Sequence, residues 1–165
     1  MLGYPGAGKT TTAELVSELT GAVKLSSDQI RLHMFKRPQF TRAEHDAVYG
    51  ALDYLTELLL NKGMSVIYDA NLNHYIHRQE KYDICVRTDT TPVILWLQTD
   101  KNLAKKRATQ DAHTDPARRV YGNLAPEVFD RLAAEIEPPK NSETVVRLDG
   151  TNVTTETIQK ALEST

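Results

Sequence analysis

The chain has 165 residues, with 20 basic against 22 acidic side chains, so it suits one domain and carries no overall field for nucleic acid or a membrane. Cys85 is the only cysteine, which excludes an internal disulfide and fits a reducing compartment. No run reaches membrane-span length and the start lacks signal-peptide architecture, so the expected setting is cytoplasmic.

Short apolar runs alternate with helical patterns along the chain, which predicts an α/β fold with a five-stranded parallel sheet. Met1 and Leu2 read as the end of the first strand. A phosphate loop normally follows a strand of about five residues, so native residues are expected before Met1. A helix over residues 9–20 is closed by Gly21, and residues 22–26 form the second strand. Thr41-Arg42-Ala43-Glu44 is a capping-box pattern. It opens a long helix whose apolar face is Val48, Ala51, Leu52, Leu55, Leu58 and Leu59, closed by Lys62-Gly63. Residues 65–69, 92–97 and 144–148 are strands three to five, apolar enough to be covered on both faces. The polar stretch 100–122 precedes a helix carrying Val128, Phe129, Leu132 and Ile136, which Pro138-Pro139 stops. A last helix over about 154–162 carries Ile158, Ala161 and Leu162 on one side, and the whole chain reads as one domain.

Gly3-Tyr4-Pro5-Gly6-Ala7-Gly8-Lys9-Thr10 matches G-x-x-x-x-G-K-[ST] in full. Glycines at this spacing let successive backbone N–H groups curl inward around phosphate oxygens, and the following helix adds its positive end. The nucleotide-binding set is therefore Gly3, Pro5, Gly6, Ala7, Gly8, Lys9, Thr10 and Thr11, the ligand ATP with Mg²⁺. Lys9 reaches the β- and γ-phosphates, and the Thr10 hydroxyl ligates the metal. Asp69, closing the third strand, holds a metal-bound water or Lys9.

What attacks the γ-phosphate divides such proteins. Tyr68-Asp69-Ala70-Asn71 lacks the glutamate that orients water in a motor-type ATPase, and Asn61-Lys62-Gly63-Met64 fails as a guanine-reading motif. A kinase needs a carboxylate that takes the proton of an acceptor hydroxyl. Asp28, after the second strand, fits that role, and Arg31 one helical turn on fits an anionic group of the acceptor. Capping of a short helix by Ser27 or Asp28 is the plainer alternative. An ATP-binding regulatory module or slow ATPase is the other functional reading.

Three segments in order resemble the kinase domain of phage-type polynucleotide kinases and the small P-loop kinases related to them: residues 3–10, Ser27-Asp28-Gln29-Ile30-Arg31, and Asp69-Ala70-Asn71-Leu72-Asn73 with Arg78 beyond. The resemblance implies a P-loop fold of the nucleotide-kinase type, with Asp28 as general base and Arg31 on a phosphate near the acceptor hydroxyl. It also implies a helical lid, about 101–122, whose arginines touch ATP. Lys105-Lys106-Arg107 begins like that lid, but Asp111 stands where a second arginine is expected, leaving Arg118 and Arg119 to supply the charge. Related kinases act on antibiotics, sugars and nucleic-acid 5′ ends, so the expected partner is a small-molecule or nucleic-acid hydroxyl acceptor. His74 and His77 lack a third metal ligand nearby and read as surface residues, Trp96 and Cys85 as packing. Tyr121 and Phe129 are candidates to border the adenine or the acceptor.

Overall fold

The computed structural model describes residues 1–110 and 122–164. In chain order these form α1 (Lys9–Thr20), β1 (Val23–Ser26), α2 (Ser27–Met34), α3 (Arg42–Leu60), β2 (Val66–Asp69), α4 (Tyr75–Arg87), β3 (Ile94–Gln98), α5 (Lys101–Thr109), α6 (Pro126–Ala134), β4 (Val145–Asp149) and α7 (Thr155–Glu163).

β1 pairs with β2 in parallel, from Val23 opposite Val66 to Ser26 opposite Asp69. β3 pairs with β4 in parallel, from Ile94 opposite Val145 to Gln98 opposite Asp149. The first expected strand is reduced to Leu2, whose N–H donates to the Leu95 carbonyl and whose carbonyl accepts from Leu97 N–H, both at 2.9 Å. On the other side the Met1 ammonium donates to the Tyr68 carbonyl at 3.3 Å. The expected five-stranded sheet is thus found as two two-stranded sheets with one residue bridging toward β3. Successive residues of a strand send their hydrogen-bonding groups to opposite sides, so Leu2 serves β3 and leaves only Met1 to serve β2.

Alternation along β2 separates the two faces. Ile67 joins Ala13, Val16, Leu95, Leu97, Val146, Leu148 and Ile158 in a buried cluster under α1 and α7. Tyr68, the next residue, points its hydroxyl the other way to Asp53 of α3 at 2.7 Å, and Lys81 of α4 clamps the same carboxylate. α3 buries Val48, Leu52 and Thr56, a stripe at steps of four, while Leu58 of the expected face is 42% exposed. A second cluster of Ala104, Ala108, Phe129 and Ala133 joins α5 to α6. α6 starts on Pro126 and ends at Ala134, two residues short of Ile136.

The Thr41 capping box closes by half. Thr41 Oγ1 accepts the Glu44 N–H at 3.2 Å, but the Glu44 carboxylate accepts the N–H groups of Gln39 and Phe40 rather than that of Thr41. The carboxylate is committed to the preceding turn, where Phe40 sits at φ 57.

The chain from α6 to β4 is tied to α4 by one buried ion pair. Arg78 and Glu143 side chains are 2% and 1% exposed, and Nε and Nη2 donate to the two carboxylate oxygens at 2.8 and 3.1 Å. Arg78 Nη1 also donates to the Leu72 and Asn73 carbonyls, and Glu143 accepts from the Tyr82 hydroxyl and the Lys140 N–H. Burial alone would raise the Glu143 carboxyl, but the bonds from Arg78, Tyr82 and Lys140 outweigh it and hold the group below its usual 4.5. A depressed carboxylate stabilises the fold fully above its unfolded value and loses that contribution as pH falls through the folded one. Glu143→Gln should therefore cost about 3–5 kcal/mol at neutral pH, because Arg78 is left buried and unpaired. Denaturant unfolding at pH 7 and at pH 3 measures it, and the gap between parent and variant should narrow at the lower pH.

Candidate active site

Each pair is parallel and Leu2 bridges to Trp96 in parallel, so the exits of Leu2, β3 and β4 lie at one edge and those of β1 and β2 lie side by side. The glycine-rich loop leaves Leu2 there and enters α1. Gly6 has φ 78, and a β-carbon on it would lie 2.3 Å from the Ala104 carbonyl oxygen and 3.0 Å from Ala108 N. The loop therefore rests its back on α5. Ala7 is fully buried, and its carbonyl accepts the Thr99 hydroxyl at 3.0 Å. Gly150, just past β4, closes the other side: a β-carbon there would lie 1.8 Å from Thr99 Oγ1 and 2.6 Å from the Ala7 oxygen. Lys9 Nζ folds across the loop and donates to the Gly3 and Tyr4 carbonyls at 2.7 and 2.8 Å.

The N-cap of α1 is Gly8 in a left-handed conformation, with no side-chain cap and no acidic residue in the first turn. Amides at such a helix start suit an anion, so the donor set fits the phosphates of ATP. Thr10 and Thr11 stand in the same turn, Thr10 half-buried and Thr11 exposed, while Pro5 is half-buried in the loop. Asp69 is buried at the exit of β2. Burial lowers the Met1 ammonium to about 6, with Asp69 opposing the shift and Lys9 adding to it, so both charges lie near the start of the chain. A buried carboxylate and a hydroxyl at the loop are oxygen donors of the kind Mg²⁺ takes.

Across the edge, Ser26 caps α2 by accepting the Gln29 N–H at 3.5 Å, so neither Ser27 nor Asp28 is the cap, and both fall in the first turn. Arg31 follows on α2 with its side chain 7% exposed. Its guanidinium lies 4.9 Å from the Phe40 ring centroid, and Nη1 is 3.7 Å from Glu44 Oε2. That distance is too long for a hydrogen bond, and Nη1 makes none among the described residues. Tyr49 of α3 stacks on His45 at 4.1 Å and accepts the Asn71 N–H at 3.3 Å.

Arg107 points from α5 to the Gly150 carbonyl, donating at 3.1 Å. Arg118 and Arg119, with Asp111 and Tyr121, lie outside the described residues. Arg78 is committed to Glu143 and does not join the site. Phe129 is fully buried in the α5–α6 cluster with Tyr4 against it. His74 pairs with Glu137 at 3.1 Å, and no metal-binding cluster of His, Cys, Asp or Glu occurs among the described residues. Sequence reasoning missed Phe40, Tyr49, Thr99 and the role of Gly150. Only the Asp149-Gly150 turn carried a visible signal, since the others act through contacts between distant segments.

Residues 1–139 match the profile of a family described as an AAA domain (AAA_33). Among solved structures, a protein assigned as a kinase from Chloroflexus aurantiacus superposes with a TM-score of 0.75 at 16% identity, covering 99% of this chain and 91% of that one. A sugar kinase from Janibacter sp. gives 0.67 at 19% identity, covering 98% and 90%. A gluconokinase from Sinorhizobium meliloti gives 0.65 at 15% identity, covering 98% and 87%. Likeness at such identities establishes the P-loop kinase-type α/β fold. No curated protein sequence matches the chain.

The seat of the loop is open to a direct test. Gly63 also has a positive φ but nothing within 4 Å of a β-carbon, so Gly63→Ala should cost only backbone strain, about 1–2 kcal/mol. Gly6→Ala must in addition move α5 or the loop, so it should lower the unfolding midpoint further. It should also weaken binding of a non-hydrolysable ATP analogue, which Gly63→Ala should leave unchanged.

Proposed function

We propose, since the chain belongs to the AAA_33 family of AAA domains, that it works as an ATP-dependent kinase passing the γ-phosphoryl group to a hydroxyl. The observation that carries this reading is Arg31: a buried cation whose Nη1 has no hydrogen-bond partner among the described residues, one turn beyond Asp28 on the helix that follows β1. Burying an N–H of a charged group without a partner is costly. A site that keeps one is suited to an oxygen-rich or anionic group, such as a phosphate or the anionic part of an acceptor.

The residues then divide the work. Amides from Gly6 to Thr10 cradle the phosphates, and Lys9 exchanges its bonds to Gly3 and Tyr4 for phosphate oxygens. Thr10 and Asp69 hold Mg²⁺, directly or through water, and the ion supplies positive charge at the β- and γ-phosphates. Asp28 takes the proton as the acceptor oxygen bonds to the γ-phosphorus, the bond from that phosphorus to the β–γ bridging oxygen breaks, and ADP leaves. Arg31 holds the acceptor's anionic group. Arg107 from α5, or Arg118 or Arg119, neutralises charge on the group in flight. Positioning and electrostatics account for most of the acceleration in such transfers.

The acceptor class is a small hydroxyl compound bearing an anionic group, or the 5′ end of a nucleic acid. The proteins of similar fold named above include a sugar kinase and a gluconokinase. Among the described residues no helix is long and apolar enough to cross a membrane. Transfer of ³²P from ATP to pooled sugars, sugar acids, nucleosides, oligonucleotides and aminoglycosides distinguishes these acceptors. Phosphate release without transfer to any of them would favour the slow ATPase.

Asp28→Asn should lower transfer on the order of 10²- to 10⁴-fold. ATP affinity should hold, and so should stability, since the α2 cap belongs to Ser26. Lys9→Ala in parallel should lose nucleotide-dependent turnover altogether. An Asp28→Asn enzyme with the parental rate would remove Asp28 as the base.

A further inference from the structure

Thr99, the first residue past β3, points its hydroxyl into the base of the phosphate loop. It is 5% exposed, and Oγ1 donates to the carbonyl of the fully buried Ala7 at 3.0 Å. The bond is closed in from the β4 side. A β-carbon on Gly150 would lie 1.8 Å from Thr99 Oγ1 and 2.6 Å from the Ala7 oxygen, so the Gly150 backbone packs directly over the pair. Thr99 also precedes Asp100, which caps α5, the helix against which Gly6 rests. Within the loop the Ala7 N–H is spent on the Tyr4 carbonyl, at 3.0 Å. The Gly8 N–H, next along, makes no hydrogen bond among the described residues.

Covalent geometry links the Thr99 bond to that N–H. The peptide between Ala7 and Gly8 is planar and trans, so its C=O and N–H point in opposite directions. With the carbonyl drawn inward to Thr99, the Gly8 N–H is turned away from Thr99 and from the β4 exit. Gly8 is the N-cap of α1, so this N–H stands at the positive end of the helix. Rotating the peptide changes ψ of Ala7 and φ of Gly8, and glycine accepts either sign of φ at little cost. Sterics within the loop therefore hold the peptide weakly, and a bond from outside has to set its sense. We infer that Thr99 is a positioning residue for the nucleotide: by holding the Ala7 carbonyl inward, its hydroxyl aims the Gly8 N–H at a phosphate oxygen. The inference rests on the reading of this loop as the cradle for the phosphates of ATP. Thr99 touches no ligand and acts through the peptide.

Thr99→Val keeps the branched shape and removes the donor, while Thr99→Ser keeps the donor and removes the methyl. Binding of Mg²⁺-ADP and of a non-hydrolysable ATP analogue should weaken roughly 10- to 100-fold in Thr99→Val, the worth of one hydrogen bond to a charged group. Thr99→Ser should bind as the parent does. In amide NMR spectra the Gly8 proton should move downfield when Mg²⁺-ADP is added to the parent or to Thr99→Ser, and far less in Thr99→Val. Thr56→Val is the control, since it removes a buried hydroxyl bonded at 2.8 Å to the Leu52 carbonyl on α3. It should lower the unfolding midpoint and leave nucleotide affinity alone. Thr99→Ala removes the same donor with less crowding, and it serves if Thr99→Val does not fold. Parental affinity and a parental Gly8 shift in Thr99→Val would overturn the inference while leaving the kinase reading intact. Affinity lost equally in Thr99→Ser would make packing rather than the hydroxyl the cause, and would overturn it as well. A parent that binds no nucleotide would remove the reading of the loop, and this inference with it.

Discussion

The close approach of Gly6 to α5 and of Gly150 to Thr99 and Ala7 is the constraint from which the nucleotide side of the protein is built. Neither position has room for a β-carbon. The phosphate loop is therefore a layer of backbone pressed between α5 and the exit of β4, with the Thr99 hydroxyl bonded to the buried Ala7 carbonyl. A loop with so few side chains gains little from apolar burial, and its shape has to come from what it is packed against. The same contact joins loop and α5 mechanically, while Arg107 on α5 reaches back to the Gly150 carbonyl. Any displacement of α5 is thus felt at the phosphate cradle and at the β4 exit together.

The region of Asp28 and Arg31, proposed for the acceptor, is built on the opposite principle, with charge held in a small volume. Arg31 is buried under Phe40, and its ion-pair partner Glu44 spends its oxygens on the Gln39 and Phe40 amides. Those bonds stabilise a turn in which Phe40 adopts φ 57, an uncommon conformation for a bulky residue. Backbone strain of this kind costs on the order of 1–3 kcal/mol and persists where the surroundings over-determine it. Here it places an aromatic ring over the guanidinium and keeps Glu44 from satisfying it. The result is a cation screened from water whose Nη1 has no hydrogen-bond partner among the described residues.

Between these halves the frame is stiffened by polar ties outside the site. Arg78 with Glu143 fastens the segment after α6 to α4, and Asp53 with Tyr68 and Lys81 fastens α3 to β2 and α4. Each pair is buried or half-buried and backed by further hydrogen bonds, the condition under which such charges hold a structure together. Arg78, which follows Asp69-Ala70-Asn71-Leu72-Asn73 in the segment that carries the resemblance, spends its donors on three carbonyls and a glutamate.

Local chemistry was legible in the chain as written. The bounds of α1 followed from Lys9, the apolar spacing and Gly21, and β2 and β4 lay within one residue of their apolar runs. The phosphate loop could be read because its function is carried by backbone conformation, which glycine spacing encodes directly. Properties that depend on what meets what were not legible. The expected five-stranded sheet became two pairs because only Leu2 faces β3, Leu58 of α3 stayed exposed because no element covers it among the described residues, and Phe129 went to the core because α5 lies on α6. The sequence by itself determined the α/β class, the phosphate loop and the order of the elements, since these rest on periodicity and on residues close in the chain. Only the tertiary structure decided that Arg31 is buried with Nη1 unbonded among the described residues, that Ser26 and not Asp28 caps α2, and that Tyr49 accepts the Asn71 amide just past the exit of β2. Each of these is set by contacts between segments distant in sequence, whose energies no local pattern of residues records.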